Sequence, residues 1–562
     1  MTAIDLHAAP FGLDDEAVAW VEDTLASLTL EQKVGQTLCL YLLAQDVPAW
    51  IDWLNERGIE PGGAMITMRT PEASARDAAL LQTAWGVPLL IPGNLESGTV
   101  NFLAGTEAFA HPMQVGATGD PENARRLAIH CARAGDAAGV NWAFAPVIDL
   151  SIETANPITN TRSFGRDPEL VGALGAAYIR ELEGRGIATS AKHFPGDGVD
   201  SRDQHLVTSC NDLDEAEWDA QYGHVYREAI AAGTRTIMVG HIRQRALSRA
   251  LVPGIADRDI LPASLAPELL QGVLRERLGF NGLIVTDNTG MAGFTTVMPR
   301  AQALPRALWA GNDMVLANLD QEGDYRAILA AAGTDALPLD RLDDAVRRVL
   351  ATKASIGLHR TTDRSDADKP DPVEEGRWRD ELAAASITVT KNTTGILPLA
   401  AAPGLRALVY VIGDRPTFYD PSPAFAPRFV DGLRARGLEV DVVQIPNAEA
   451  TVPGAEKLHE RYDVCLYFAD QRFAGNTNGL RVQWSPPQGP DGPRHVATLP
   501  TVLVSIADPY LLQDLPMVRS AINGYTPTTS TVDAALAVLF GEAEARGVAP
   551  SDPFSGHWDA AL

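Results

Sequence analysis

Short apolar runs punctuate the first part of the chain, each bounded by glycine, proline or asparagine. They read TLCLYLL (37–43), GGAMITM (62–68), VPLLIPG (87–93), NWAFAPVID (141–149), ATSAKHFPG (188–196), RTIMVGHI (235–242), GLIVTDN (282–288) and NDMVLAN (312–318). Near-continuous apolar runs of this length are what strands buried on both faces of a parallel sheet require. Between them lie amphipathic helical patterns such as PENARRLAIHCARAG (121–135) and DPELVGALGAAYIRELEGRG (167–186). Thr29 and Gln32 fit a capping box that opens a helix after residue 28. Eight strand–helix alternations predict an α/β fold, a (β/α)8 barrel of the TIM type, over residues 1–358.

The pattern then breaks. Residues 359–375, HRTTDRSDADKPDPVEE, are polar, contain two prolines and read as a linker. Beyond it the alternation restarts. LRALVYVIGD (405–414), the helix and strand of DGLRARGLEVDVVQI (431–445), DVCLYFAD (463–470), TVLVSIADPY (501–510) and the helix TVDAALAVLFG (531–541) predict a smaller α/β sandwich domain over 376–562.

Composition narrows the function classes. The 562 residues are 46% hydrophobic and 21% charged, which excludes a disordered chain. A formal net charge of −26 repels DNA and anionic membranes, and no local basic patch offsets it. Cys39, Cys131, Cys210 and Cys465 form no CxxC pair, so reduced thiols and no cysteine zinc site are expected. The N-terminus lacks a basic stretch followed by an apolar one, and no run approaches a membrane span of about 18 residues. The expectation is a cytoplasmic protein with neither nucleic-acid nor membrane partners; its oligomeric state is left open.

In a barrel the chemistry sits at the C-terminal ends of the strands. Here the fourth run ends in Asp149. The fifth ends in Lys192 and His193, followed by Pro195, Gly196, Asp197 and Gly198. The sixth ends at His241, the seventh in Asp287 and Asn288, and the eighth at Asn318. Lys192 and His193 are two adjacent donors, suited to clamping hydroxyls or an anion. In Asp203-Gln204-His205 a carboxylate two residues from an imidazole can orient the ring and raise its basicity, which makes a better general acid near neutrality.

These residues carry a family resemblance. KHFPGDGVDSRDQH (192–205) resembles the KHFPGHG…DSH motif of glycoside hydrolase family 3, in particular its β-N-acetylglucosaminidase branch, in which a histidine is the acid/base. GLIVTDNTGM (282–291) is similar to that family's nucleophile motif. FAPVIDL (144–150) and TRSFGRDPELV (161–171) look like its substrate loops, LTLEQKVGQ (28–36) like its N-terminal helix, and VTKNTTGILPL (389–399) like the start of its second domain. The resemblance implies Asp287 as nucleophile, His205 as acid/base and Asp203 as its orienting partner. It implies Lys192, His193 and Arg162 as ligands of the reacting sugar, with Asp149 and His241 near the same subsite.

Two departures stand out. Asp197 replaces the motif's second histidine. NLESGTV (94–100) replaces a segment like DQEGGRV, so Asn94 stands for an aspartate and Thr99 for an arginine, while Glu96 is kept. Asn94 and Glu96 remain candidate sugar ligands, but an amide lacks the charge-assisted strength of a carboxylate.

The activity implied is retaining cleavage of a β-N-acetylglucosaminide or β-glucoside through a glycosyl-Asp intermediate. A histidine acid/base does not repel a phosphate dianion as a carboxylate would, so inorganic phosphate and water are both open as acceptors. No Walker-type loop occurs and no GxGxxG follows a predicted strand, so no nucleotide cofactor is expected. Two other readings stay open. His193, His241 and Asp287 at strand ends suggest a metal-dependent barrel hydrolase, although the first strand lacks the usual HxH pair. The altered NLESG segment suggests a catalytically silent sugar-binding protein.

Overall fold

The computed structural model describes residues 4–43, 45–317, 319–360, 369–417, 420–446, 455–472, 475–477, 479–485 and 491–562. Asn318 and residues 361–368 of the expected linker lie outside them.

Eight strands form the first sheet: β1 (Leu38–Leu42), β2 (Gly63–Ile66), β3 (Pro92–Gly93), β4 (Trp142–Ala143), β5 (Ala188–Phe194), β6 (Thr236–Val239), β7 (Leu283–Asn288) and β8 (Met314–Ala317). Every pairing is parallel and every strand lies beside its neighbours in sequence, with β8 returning to β1. A parallel bridge between Gly63 and Leu90 closes the circuit from β2 to β3. This is the expected (β/α)8 barrel, and all eight strands fall inside the eight apolar runs.

Side chains alternate as a pleated strand demands. Cys39 of β1 points into the barrel with Met65, Leu90, Trp142, Phe144, Met238, Leu283, Val285, Met314 and Leu316. Leu38, Leu40 and Leu42 point outward to the helices. Trp142 satisfies its indole N–H inside this dry core by donating to Thr236 Oγ1 at 2.8 Å. The capping box forms as the sequence requires, with Thr29 and Gln32 bonded reciprocally at the start of Leu30–Gln36. β3 and β4 are shorter than their apolar runs because Pro88, Pro92 and Pro146 cannot donate to a ladder. Beyond β4 the chain keeps beside β5 through Ile148 N–H to Lys192 O at 2.9 Å, which carries Asp149 to the barrel mouth.

The second sheet has six strands: β9 (Thr388–Asn392), β10 (Arg406–Gly413), β11 (Glu439–Ile445), β12 (Val464–Asp470), β13 (Thr501–Ser505) and β14 (Ser520–Asn523), in the order β9-β14-β13-β12-β10-β11. Only β9 is antiparallel to its neighbour. Apolar clusters lie on both faces of the sheet. Its first helix, Pro372–Ser386, starts within the expected linker.

The chain divides into two units that do not follow one boundary. Residues 107–123 and 151–167, expected in the barrel, group with 371–562. Their hydrogen bonds explain this. His111 N–H donates to Thr526 Oγ1 at 2.8 Å, Gln114 Nε2 to Thr531 Oγ1 at 3.1 Å, and Asn160 Nδ2 to Asp508 Oδ1 at 3.2 Å; Ser151 Oγ and the Tyr510 hydroxyl are 2.7 Å apart. Among the described residues, no helix is long and apolar enough to cross a membrane.

A buried ionic cluster underlies β7 and β8. Asp313 accepts from Arg275 at 2.7 Å, from Arg341 at 2.9 Å and from the Ile284 N–H at 2.8 Å. All three side chains are buried. Removing one partner of such a cluster leaves uncompensated buried charge. Asp313→Ala should therefore cost about 3–5 kcal/mol of barrel stability in equilibrium denaturation. A loss below about 1 kcal/mol would show that the two guanidiniums find other partners.

Candidate active site

The C-terminal strand ends are linked by buried polar contacts that begin at Asp149. Its Oδ1 accepts the backbone N–H of His193 at 3.0 Å and of Asp197 at 2.8 Å, and its Oδ2 lies 2.6 Å from His193 Nδ1. An acceptor carboxylate keeps the proton on Nδ1. The other ring nitrogen, Nε2, therefore faces Asp287, whose Oδ2 is 3.9 Å away. Lys192 reaches toward the loop after β3, where its Nζ lies 2.7 Å from Glu96 Oε1 and 3.5 Å from Asn94 Oδ1. Lys192 and Glu96 are both at least 97% buried, so each neutralises the other where water does not.

Asp203 and His205 lie on the loop after β5. One oxygen, Asp203 Oδ1, accepts both the backbone N–H and Nδ1 of His205, each at 2.7 Å. This is why a spacing of two matters: a turn-forming aspartate reaches the N–H two residues on, and the ring folds onto the same oxygen. Asp203 is buried while the His205 side chain keeps 23% of its exposure. Nε2 is thereby the ring nitrogen that the Asp203 contact leaves available. The loop is fastened to the segment after β7. Ala292 N–H donates to His205 O at 3.0 Å, Gly293 N–H to Gln204 O at 3.2 Å, and Thr208 Oγ1 to Gly293 O at 3.0 Å.

Asp287 sits near the end of β7 and accepts the Asn288 N–H at 2.6 Å. Burial pushes its carboxyl up, but His193, His241 and His205, together with that N–H, outweigh burial and hold it below the usual carboxylate range. It is therefore ionised in the neutral range. His241 is buried, which lowers its imidazole to about 4 and keeps it neutral. Its Nδ1 meets Ser264 Oγ at 2.8 Å and its Nε2 meets Asn288 O at 3.0 Å.

Nine of the ten expected site residues thus belong to the barrel unit: Asn94, Glu96, Asp149, Lys192, His193, Asp203, His205, His241 and Asp287. Arg162 belongs to the other unit, where its guanidinium donates to Ile158 O at 3.1 Å. Two residues expected near the subsite are engaged by the protein itself. His241 has both ring nitrogens occupied by protein groups. Asp149 is fully buried and acts on His193 and Asp197. Both support the residues around them. Sequence reasoning missed Gln204 and Ser264. Gln204 stood in plain view between Asp203 and His205, whereas Ser264 lies on an irregular stretch with no periodic signal.

Residues 29–352 match the family described as glycosyl hydrolase family 3 N terminal domain. A β-N-acetylglucosaminidase/β-glucosidase from Cellulomonas fimi is 43% identical over 566 aligned residues, covering 100% of both chains. The solved structure of a β-glucoside phosphorylase, BglX, is 35% identical with a TM-score of 0.89, covering 98% of this chain and 99% of that one. A family 3 β-N-acetylglucosaminidase from Paenibacillus sp. str. FPU-7 shares the fold at 24% identity, with a TM-score of 0.78 over 94% and 99% of the two chains.

The His241 environment sets a pH dependence. In the unfolded chain this imidazole takes up a proton near 6.5, whereas in the folded protein it does so only near 4. Its contribution to stability is complete above pH 6.5 and is lost as the pH falls toward 4. The His241 ring resonance should accordingly stay in its neutral position between pH 8 and 5 in an NMR titration. A midpoint near 6.5 would mean that the ring is hydrated.

Proposed function

This chain belongs to glycoside hydrolase family 3, and on that premise we propose that it works by double displacement, with Asp287 as nucleophile and His205 as general acid. As an enzyme of this family it cleaves β-glycosides. The observation that carries the proposed mechanism is the Asp203–His205 pair at 2.7 Å, on a loop bonded to the segment that follows Asp287.

In the first step an Asp287 oxygen attacks the anomeric carbon. The bond to the leaving oxygen breaks, and that oxygen takes the proton from His205 Nε2. Asp203 stabilises the imidazolium before transfer and keeps Nε2 pointed outward. His193 and Lys192 bind sugar hydroxyls, each held by a buried carboxylate behind it. Asn94 and Glu96 complete this side of the ring.

In the second step the acceptor is inorganic phosphate. A phosphate oxygen attacks the anomeric carbon, the ester bond to Asp287 breaks, and the products are a β-sugar 1-phosphate and the free carboxylate. Two inversions give net retention. Phosphate is already an anion and needs no base, and the neutral imidazole left by the first step does not repel it. The likeness to a β-glucoside phosphorylase supports this acceptor. A second reading, with water as acceptor and His205 taking its proton, is favoured by the hydrolase name of the Cellulomonas fimi relative. That name also supports N-acetylglucosamine and glucose as the sugars.

The test uses 4-nitrophenyl β-N-acetylglucosaminide and β-glucoside with and without inorganic phosphate, separating free sugar from sugar 1-phosphate. A phosphate-dependent rate and a 1-phosphate product are expected. Free sugar alone at a phosphate-independent rate would make water the acceptor. Asp287→Ala should lower kcat by several orders of magnitude. His205→Ala should cost on the order of 10²- to 10⁴-fold on glycosides with poor leaving groups, and far less on activated aryl glycosides. A chelator should leave all rates unchanged.

A further inference from the structure

We infer that Asp197 and Gln204 form a clasp that positions the general acid, so that the reaction depends on both residues at the step in which the leaving oxygen is protonated. This rests on the reading of His205 as that acid.

The Gln204 side chain is used at both ends. Its Nε2 donates to Asp197 Oδ2 at 3.1 Å, and its Oε1 accepts the His241 N–H at 2.9 Å. Its backbone oxygen accepts the Gly293 N–H. Gln204 and Asp197 are both buried, at 0% and 2% exposure. The residue between Asp203 and His205 is therefore fixed through side chain and backbone alike, and the pair on either side of it inherits that fixity.

Asp197 connects this point to the rest of the site. Its N–H goes to Asp149 Oδ1, its Oδ1 accepts the Gly198 N–H at 2.7 Å, and its carbonyl accepts the Tyr222 hydroxyl. A continuous path of buried hydrogen bonds thus runs from His193, through Asp149, Asp197 and Gln204, to the backbone of His241. It passes the loop of His205 on the way.

The two residues are also the two places inside the loop motif where this chain differs from KHFPGHG…DSH, which carries histidine and serine there. In this chain the short partner is Asp197 and the long one Gln204, joined at 3.1 Å. A serine at 204 could not span from the loop to both Asp197 and the His241 N–H.

The experiment compares a methyl β-glycoside with a 2,4-dinitrophenyl β-glycoside of the same sugar, because only the first needs the proton. Gln204→Met keeps the side chain's length and removes both bonds. It should lower kcat on the methyl glycoside on the order of 10- to 100-fold while changing KM little, and leave the dinitrophenyl glycoside within roughly threefold. Asp197→Ala should do the same, and the double variant should be no worse than either single one. Asp197→Asn keeps one acceptor oxygen in place of the two that now serve Gly198 and Gln204, so it should lose less than Asp197→Ala, and the circular dichroism of each variant should match the unsubstituted protein. Equal losses on both glycosides, or losses that multiply in the double variant, would overturn the clasp. His205→Ala serves as reference. If it discriminates between the glycosides and Gln204→Met does not, the clasp alone fails. If His205→Ala does not discriminate, the assignment of the acid fails and takes the clasp with it.

Discussion

One carboxylate organises the barrel mouth. Asp149 is fully buried and takes two backbone N–H groups and an imidazole onto its two oxygens. A carboxylate in such a place is costly to bury unless donors converge on it. The convergence therefore runs both ways. The three donors hold Asp149, and Asp149 in turn fixes the path of the chain from His193 to Asp197. The tautomer of His193, the direction of its free nitrogen toward Asp287 and the start of the loop bearing His205 all follow from this one group.

The barrel separates its tasks by position along the strands. Its interior is filled by Cys39, Met65, Trp142, Met238 and Leu316, with Trp142 satisfied internally. Below, Asp313 gathers Arg275 and Arg341. Above, Asp149, Lys192, Glu96, Asp203 and their partners face the mouth. The lower cluster ties secondary structure together. The upper one holds a few side chains in place and leaves the His205 ring half-buried. The Asn288 N–H and the imidazoles around Asp287 outweigh its burial and hold its carboxyl below the usual carboxylate range.

Much of this was legible in the sequence, for physical reasons. Parallel strands buried on both faces need unbroken apolar runs, and all eight barrel strands lay within such runs. Strand ends carry the polar residues of a barrel, so Asp149, Lys192, His193, His241 and Asp287 could be picked out by place alone. What each one touches could not. His241 and Asp149 look like ligands in a list of strand ends, yet their nitrogens and oxygens are taken up by Ser264, Asn288, His193 and Asp197. Ser264 lies far from His241 along the chain on a stretch without periodicity. β9 and β14 were not among the expected strands: Thr388–Asn392 is mostly polar, and Ser520–Asn523 carries one large apolar residue, Ile522. Prolines trimmed β3 and β4 without displacing the residues that follow them. The grouping of 107–123 and 151–167 with the second unit depends on partners such as Tyr510 and Thr526, 359 and 415 residues away, which no local signal records.

That last arrangement bears on how the protein is made. His111 waits for Thr526 and Ser151 for Tyr510, so two segments emitted early in synthesis find their hydrogen-bonding partners only when the chain is almost finished. Contacts this distant along the chain are slow to form and leave early segments exposed meanwhile. The barrel strands leave the ribosome in order and can pair in order, but the loops after β3 and β4 stay unfinished until β13 and β14 exist. A nascent chain stalled after the eighth strand would already hold Asp287 and His205, and still carry two segments without their hydrogen-bonding partners.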